Sequence, residues 1–137
     1  MPDPPRPLDV ADRLEIHELA ARYANAIDDR DWDALATVFT DDALYVLSGF
    51  GELDGRYEGF GAIRALMESS DSHPVAHHVT NVVVSVQGGD VRLTSKIAGP
   101  GRRGRVGSAD YRDVLRHEPG GWRIAERLVT LRRPDGA

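Results

Sequence analysis

The alternation of apolar and polar positions divides the chain into a helical first half and a strand-rich second half. Asp9 stands before a run from Val10 to about Asp29 in which Ile16, Leu19, Ala20, Tyr23 and Ile27 recur at three- and four-residue intervals, one face of an amphipathic helix. An aspartate just before such a run is a helix N-cap signal. On this spacing Ala20 and Ala24 place Asp28 on the same face one turn later. A short second helix follows, with Trp32, Leu35, Ala36 and Phe39 facing inward until Thr40-Asp41-Asp42 breaks it. Ala43 to Leu47 reads as a strand, Ser48 to Gly59 as a glycine-rich excursion, and Gly61 to about Ser69 as a third helix burying Ile63, Leu66 and Met67.

Four stretches of strand character complete the chain: Val75–Val86, Val91–Ala98, Val106–His117 and Trp122–Leu131. Gly88-Gly89 and Pro119-Gly120-Gly121 are hairpin signals. The longer Gly99–Arg105 connection reads as a mobile loop. Helices followed by consecutive hairpins predict an α+β domain. Its mainly antiparallel sheet should be curved, with the first helix across the concave side and a pocket between them. Residues 1–8 read as an arm, 9–133 as the domain and 134–137 as a tail.

Composition narrows the function. At 137 residues one core can form without disulfides, and the absence of cysteine removes thiolate chemistry and fits a reducing, cytoplasmic setting. A formal net charge of −5 argues against a nucleic-acid surface, and no apolar run is long enough for a membrane span. Lys96 is the only lysine among the cations. His17, His73, His77, His78 and the glutamates fall at no metal-ligand spacing, so no metal is expected. Because Val75–Val86 is apolar on both faces, the sheet is expected to bury its outer side in a homo-oligomer, a dimer being favoured.

Several residues can carry chemistry, each with a plainer reading beside it. Asp28 is either an ordinary polar helix end or a pocket carboxylate. His77 and His78 are neighbours, so strand alternation turns only one of them into a pocket, and periodicity does not choose between them. Arg127 either offers positive charge to a ligand or forms an ion pair with Glu126, Asp110 or Asp113. Tyr23 is either packed on its stripe or supplies a hydroxyl to an oxyanion.

Local strings add a resemblance. The run from Tyr23 through Asp28, Asp31, Trp32 and Leu35 to Phe39-Thr-Asp41-Asp42-Ala43 is similar to the opening of SnoaL-like proteins of the nuclear-transport-factor-2-like superfamily. Gly59-Phe-Gly61-Ala-Ile63, His77-His78-Val-Thr-Asn81 and Gly121-Trp122-Arg-Ile-Ala-Glu-Arg127 resemble later parts of the same pattern. The likeness spans about Leu8 to Arg132. It implies a cone-shaped, mixed, mainly antiparallel sheet with about three helices enclosing a pocket. By resemblance to scytalone dehydratase and hexachlorocyclohexane dehydrochlorinase, Asp28 and His77 match a catalytic aspartate–histidine pair and Arg127 a pocket arginine.

The resemblance further implies a cofactor-independent lyase or isomerase acting on a small apolar or aromatic molecule. Curvature of the sheet under the first helix is expected to leave the pocket lined by Tyr23, Ile27, Phe39 and Leu47 among others. Leu47 stands where ketosteroid isomerases carry their carboxylate base, which argues against that mechanism. Val106-Gly-Ser108-Ala-Asp110 lacks the second histidine of scytalone dehydratase. The same fold also hosts non-catalytic ligand-binding or assembly modules and small subunits of ring-hydroxylating dioxygenases, which stand as alternatives.

Overall fold

The computed structural model describes residues 7–70, 73–101, 104 and 106–132. Helix α1 spans Val10–Asp28 and starts on a reciprocal cap: Asp12 N–H donates to the Asp9 carboxylate (2.8 Å) and Asp9 N–H to that of Asp12 (3.0 Å). Its buried stripe is the predicted one, Ile16, Leu19, Ala20, Tyr23 and Ile27. The helix ends with Arg30 in the left-handed region (φ 52°), with Arg30 N–H donating to Ile27 O and Asp31 N–H to Ala26 O.

Helix α2 is confined to Trp32–Ala36, capped by the Asp31 side chain on Ala34 N–H. Phe39 belongs instead to strand β1, Phe39–Ser48, which therefore starts four residues before the expected Ala43 and includes Thr40-Asp41-Asp42. The reason is non-local. Ile124 N–H donates to Val38 O (2.8 Å), and Phe39 pairs in parallel with Ile124. No neighbouring residue announces that partner.

The glycine-rich excursion holds a 3₁₀ turn, Gly51–Leu53, and a short strand β2, Gly55–Glu58, antiparallel to β1. Helix α3 covers Phe60–Ser69 and buries Ile63, Leu66 and Met67 as expected. Strands β3 (His78–Gln87), β4 (Asp90–Pro100), β5 (Val106–Glu118) and β6 (Gly121–Leu131) follow. Residues 75–77, expected in β3, lie outside it; Val75 makes one bond, N–H to Pro100 O, at 3.0 Å. Strand β4 runs into the predicted loop, pairing Pro100 with Val106; Arg102, Arg103 and Arg105 lie outside the described residues, as do most of the arm and the tail.

The six strands form one curved sheet in the order β2-β1-β6-β5-β4-β3, antiparallel except for the β1–β6 pair. Register shifts in β1 and β3, and at Ala125 of β6 opposite Val114–Leu115, mark bulges, which bend a sheet. Helices α1 and α3 pack on one side, α1 against β3 and β6, α3 against β1 and β2. Inward residues Leu93, Ile97, Ala109, Tyr111, Leu115, Ile124 and Val129 alternate with exposed Arg92, Thr94, Lys96 and Arg112. Among the described residues no helix is long and apolar enough to cross a membrane.

Asp12 has a second task, since its carboxylate also accepts from the buried Trp122 indole N–H at 3.0 Å, tying the start of α1 to β6. Replacing Asp12 with Ala undoes the cap and strands that donor, so Asp12→Ala should cost about 2 to 4 kcal/mol in urea unfolding. An unchanged midpoint would show that the tie contributes nothing.

Candidate functional site

Between α1, α3 and the sheet lies a cavity of about 260 Å³. Its inner end is formed by the buried rings of Tyr23, Tyr45 and Tyr111, and its walls by apolar side chains such as Leu47, Met67, Ile97 and Val129. Toward the exposed end stand Leu53, Gly101 and Gly107, and His73 and His77 occupy one side.

Asp28 and His77 meet there. Both carboxylate oxygens accept from the His77 backbone N–H (3.1 and 2.9 Å), and Oδ1 lies 2.5 Å from His77 Nδ1. The side chains are largely buried, 15% exposed for Asp28 and 7% for His77. A carboxylate on the last turn of a helix opposes the helix dipole, and these donors offset that cost. As a carboxylate Asp28 can only accept, so it fixes the tautomer with the proton on Nδ1 and leaves Nε2 as the acceptor. His78 opens β3 with an exposed side chain. The face assignment therefore favours His77, although His77 precedes the strand and strand alternation is not what aims it.

What aims His77 is the approach of residues 74–77 to the end of β4. A Cβ built on Gly99 would stand 2.6 Å from Pro74 Cγ, 2.7 Å from its Cβ and 2.8 Å from Ala76 O. Only a residue without a side chain lets this segment lie down. At the other partner, the Arg30 side chain donates to Glu68 O (3.0 Å), holding the end of α1, and with it Asp28, against the end of α3.

Arg127 is placed differently from the expected pocket arginine. It is 1% exposed and forms a two-point ion pair with Asp113, both bonds 2.8 Å. Its guanidinium carbon lies 4.2 Å from the centre of the Tyr23 ring and 4.1 Å from that of Tyr111. Burial alone would lower its pKa, but the charge and hydrogen bonds of Asp113 outweigh that, and the group is held cationic. It lies behind the tyrosines and does not line the cavity. Of the expected lining residues, Tyr23 and Leu47 do line it. Ile27 and Phe39 do not: at 3% and 0% exposed they are packed in the core, Phe39 edge-on against Tyr23 and Tyr45.

Tyr45, Tyr111, Asp113 (among the proposed Arg127 partners) and His73 complete the arrangement. The Tyr23 and Tyr45 hydroxyls are 3.0 Å apart. Burial first, then the neighbouring phenols, raises the Tyr45 and Tyr111 pKa values well above the usual value, so both stay neutral. Period-two alternation from Ala43 through Tyr45 to Leu47, and from Ala109 through Tyr111 to Asp113, is the signal that marks these residues as inward. Among the described residues no three His, Cys, Asp or Glu side chains gather as metal ligands. The site can therefore move a proton at His77 and hold an oxygen at the phenols.

Residues 9–128 match the profile of the SnoaL-like domain. The chain belongs to the SnoaL-like family. It is 35% identical over 130 residues to uncharacterized proteins of Mycobacterium bovis and Mycobacterium tuberculosis, covering 89% of this chain and 86% of theirs. A nuclear-transport-factor-2-like protein with a cystatin-like fold from Novosphingobium aromaticivorans is 30% identical, covers 93% of this chain and 85% of its own, and superposes with a TM-score of 0.69. Hexachlorocyclohexane dehydrochlorinase type 3 from Novosphingobium barchaimii shares the fold, with TM-score 0.73, 20% identity and 93% coverage of both chains.

Two outcomes follow from this SnoaL-like site. Gly99→Ala should push residues 74–77 outward and lengthen the Asp28–His77 contact, visible as loss of the low-field His77 Nδ1 proton in NMR spectra; a retained signal would show that the segment is held by other means. Arg127→Met alone should destabilise by about 3–5 kcal/mol, because it leaves Asp113 buried without its cation. Adding Asp113→Leu should recover most of that loss in chemical denaturation.

Proposed function

We propose that the protein is a lyase or isomerase whose proton transfer needs no organic cofactor and no metal. It would act on a small apolar or aromatic molecule carrying a C–H made acidic by a neighbouring carbonyl. The observation that carries this reading is the 2.5 Å contact between Asp28 Oδ1 and His77 Nδ1 beside a cavity that His77 lines. Held in this way, His77 Nε2 accepts the proton from carbon and Asp28 stabilises the imidazolium that forms. The electron pair of the C–H bond moves toward the carbonyl, and the oxygen that gains charge is received by the tyrosine hydroxyls. Returning the proton to another carbon gives isomerisation; loss of a neighbouring leaving group gives elimination.

Arg127 enters through the tyrosines in this scheme. Its charge sits against the Tyr23 and Tyr111 rings, where it favours negative charge developing beyond them without touching the ligand. The fold is shared with a dehydrochlorinase, which fits an elimination on the same scaffold. A homodimer formed through the outer sheet face and a cytoplasmic location belong to the same proposal, the first supported by Val83, exposed opposite Thr94 on that face.

A second reading, a non-catalytic carrier, draws on the mutual Tyr23–Tyr45 bond and the mainly apolar wall. Deuterium exchange separates the two. A panel of aromatic and polyketide-type ketones is first ranked by thermal shift, and exchange of the acidic C–H of the hits is then followed by NMR in D₂O. Asp28→Asn and His77→Gln should each slow exchange by about 100-fold or more with affinity nearly intact, and the double variant should lose little beyond either. Equal exchange in wild type and His77→Gln would establish the carrier.

A further inference from the structure

His73 lines the same cavity, yet the proton transfer described above makes no use of it. Its ring stands edge-on to that of His77, with centres 5.5 Å apart and planes at 71°. Its place is fixed by its neighbours, since Pro74 lies against Gly99 and Val75 N–H bonds to Pro100 O. Neither ring nitrogen of His73 has a hydrogen-bond partner among the described residues. Several other polar groups of the cavity are engaged: the Tyr23 and Tyr45 hydroxyls with each other, Ser108 Oγ with Ile97 O, and His77 Nδ1 with Asp28.

The charges around His73 decide its form. Asp28, the one anion facing it among the described residues, is bound to His77 at 2.5 Å. Partial burial, then the adjacent His77 and the Arg30 guanidinium, lower the His73 pKa to about 4 against the weaker pull of Asp28. Near neutral pH it is a neutral imidazole with one donor and one acceptor. That combination matches a hydroxyl, which both donates and accepts, better than a carboxylate, which only accepts.

We propose that His73 is a specificity-determining residue that binds a hydroxyl group on the ligand, so that the pocket selects hydroxylated cyclic compounds. The proposal rests on the reading of this cavity as a ligand pocket, but not on any turnover in it. Because the two imidazoles are 5.5 Å apart, the recognised hydroxyl lies within about one ring width of the carbon presented to His77.

Matched probes test this: 1-tetralone and its positional hydroxy derivatives, titrated calorimetrically against wild type, His73→Phe, His73→Gln and His77→Gln. Wild type should bind at least one hydroxytetralone about three- to tenfold tighter than 1-tetralone, the range expected for one neutral hydrogen bond. His73→Phe keeps a flat ring and removes both nitrogens, so it should abolish that gap while leaving 1-tetralone affinity unchanged. His73→Gln should restore part of the gap, and His77→Gln should keep it. Should His73→Phe fail to fold, ¹⁵N shifts of the wild-type His73 ring serve instead, moving with the preferred hydroxytetralone and not with 1-tetralone. No hydroxyl preference in wild type, one that survives in His73→Phe, or unmoved His73 resonances overturns the proposal. If the gap closes in His73→Phe while no protein exchanges a C–H proton, the catalytic reading fails and His73 stands as a binding residue. If exchange depends on His77 but the gap survives in His73→Phe, the reverse holds.

Discussion

Carrying a guanidinium into a protein interior costs several kcal/mol in lost hydration, and that cost constrains everything packed around it. Arg127 meets it with two 2.8 Å bonds to Asp113 on the adjacent strand and with the faces of two aromatic rings. One ring, Tyr23, comes from α1 and the other, Tyr111, from β5, so the cation joins helix to sheet at the bottom of the cavity. Tyr45 on β1 is fixed in turn through its hydroxyl to Tyr23. Three elements distant in sequence thus converge on one buried charge, and the hydroxyl end of the cavity is the surface of that cluster. A hydrocarbon core could fill the same space, but it would bring no charge to bear on the phenols.

The other end of the cavity is built on a different principle. Residues 73–77 belong neither to α3 nor to β3, and they are located by few contacts: the Gly99 approach, the Val75–Pro100 bond and the carboxylate of Asp28. Asp28 binds His77 through both backbone and ring, so the same group that would orient the imidazole also positions the segment carrying it. On the proposed reading, one carboxylate therefore serves both the geometry of the proton transfer and the local fold. Turnover has to be read beside ligand affinity for that reason, since a displaced segment would disturb both.

Much of this was legible in the chain because the informative residues act locally. Asp9 caps the helix that follows it, Gly88-Gly89 turns the strands beside it, and the α1 stripe repeats with the period of a helix. The family strings carried Asp28 and His77 to one site, which periodicity alone could not do, as His77 and His78 are equivalent to it. What stayed hidden depends on distant partners. Phe39 reads as the end of a helix until Ile124 is known to pair with it, and the polar Gly55–Glu58 strand exists only because β1 offers an edge. Ile27 and Phe39 were assigned to the pocket because they are apolar and inward. Those properties are equally those of a packed core, and the distinction lies in which inward positions the curved sheet leaves uncovered. The contrast between His73 and His77 was likewise invisible, since it arises from which histidine the Asp28 carboxylate reaches.

The distribution of charge gives the site its logic. Its cation is sealed behind tyrosine rings and matched by Asp113, its anion is bound to His77, and His73 is held neutral by burial and by its cationic and imidazole neighbours. Among the described residues a ligand entering this space meets no free charge, only phenols, imidazoles and hydrocarbon, so a neutral molecule enters without an ionic desolvation cost at them. Charge created inside the pocket is treated otherwise. An oxyanion formed at the phenols lies one ring away from Arg127, and a proton arriving on His77 is already opposite Asp28. On the proposed reading, such a pocket would distinguish the neutral molecule it admits from the charged species formed from it, and that difference, not tight binding of the ground state, is what accelerates a reaction.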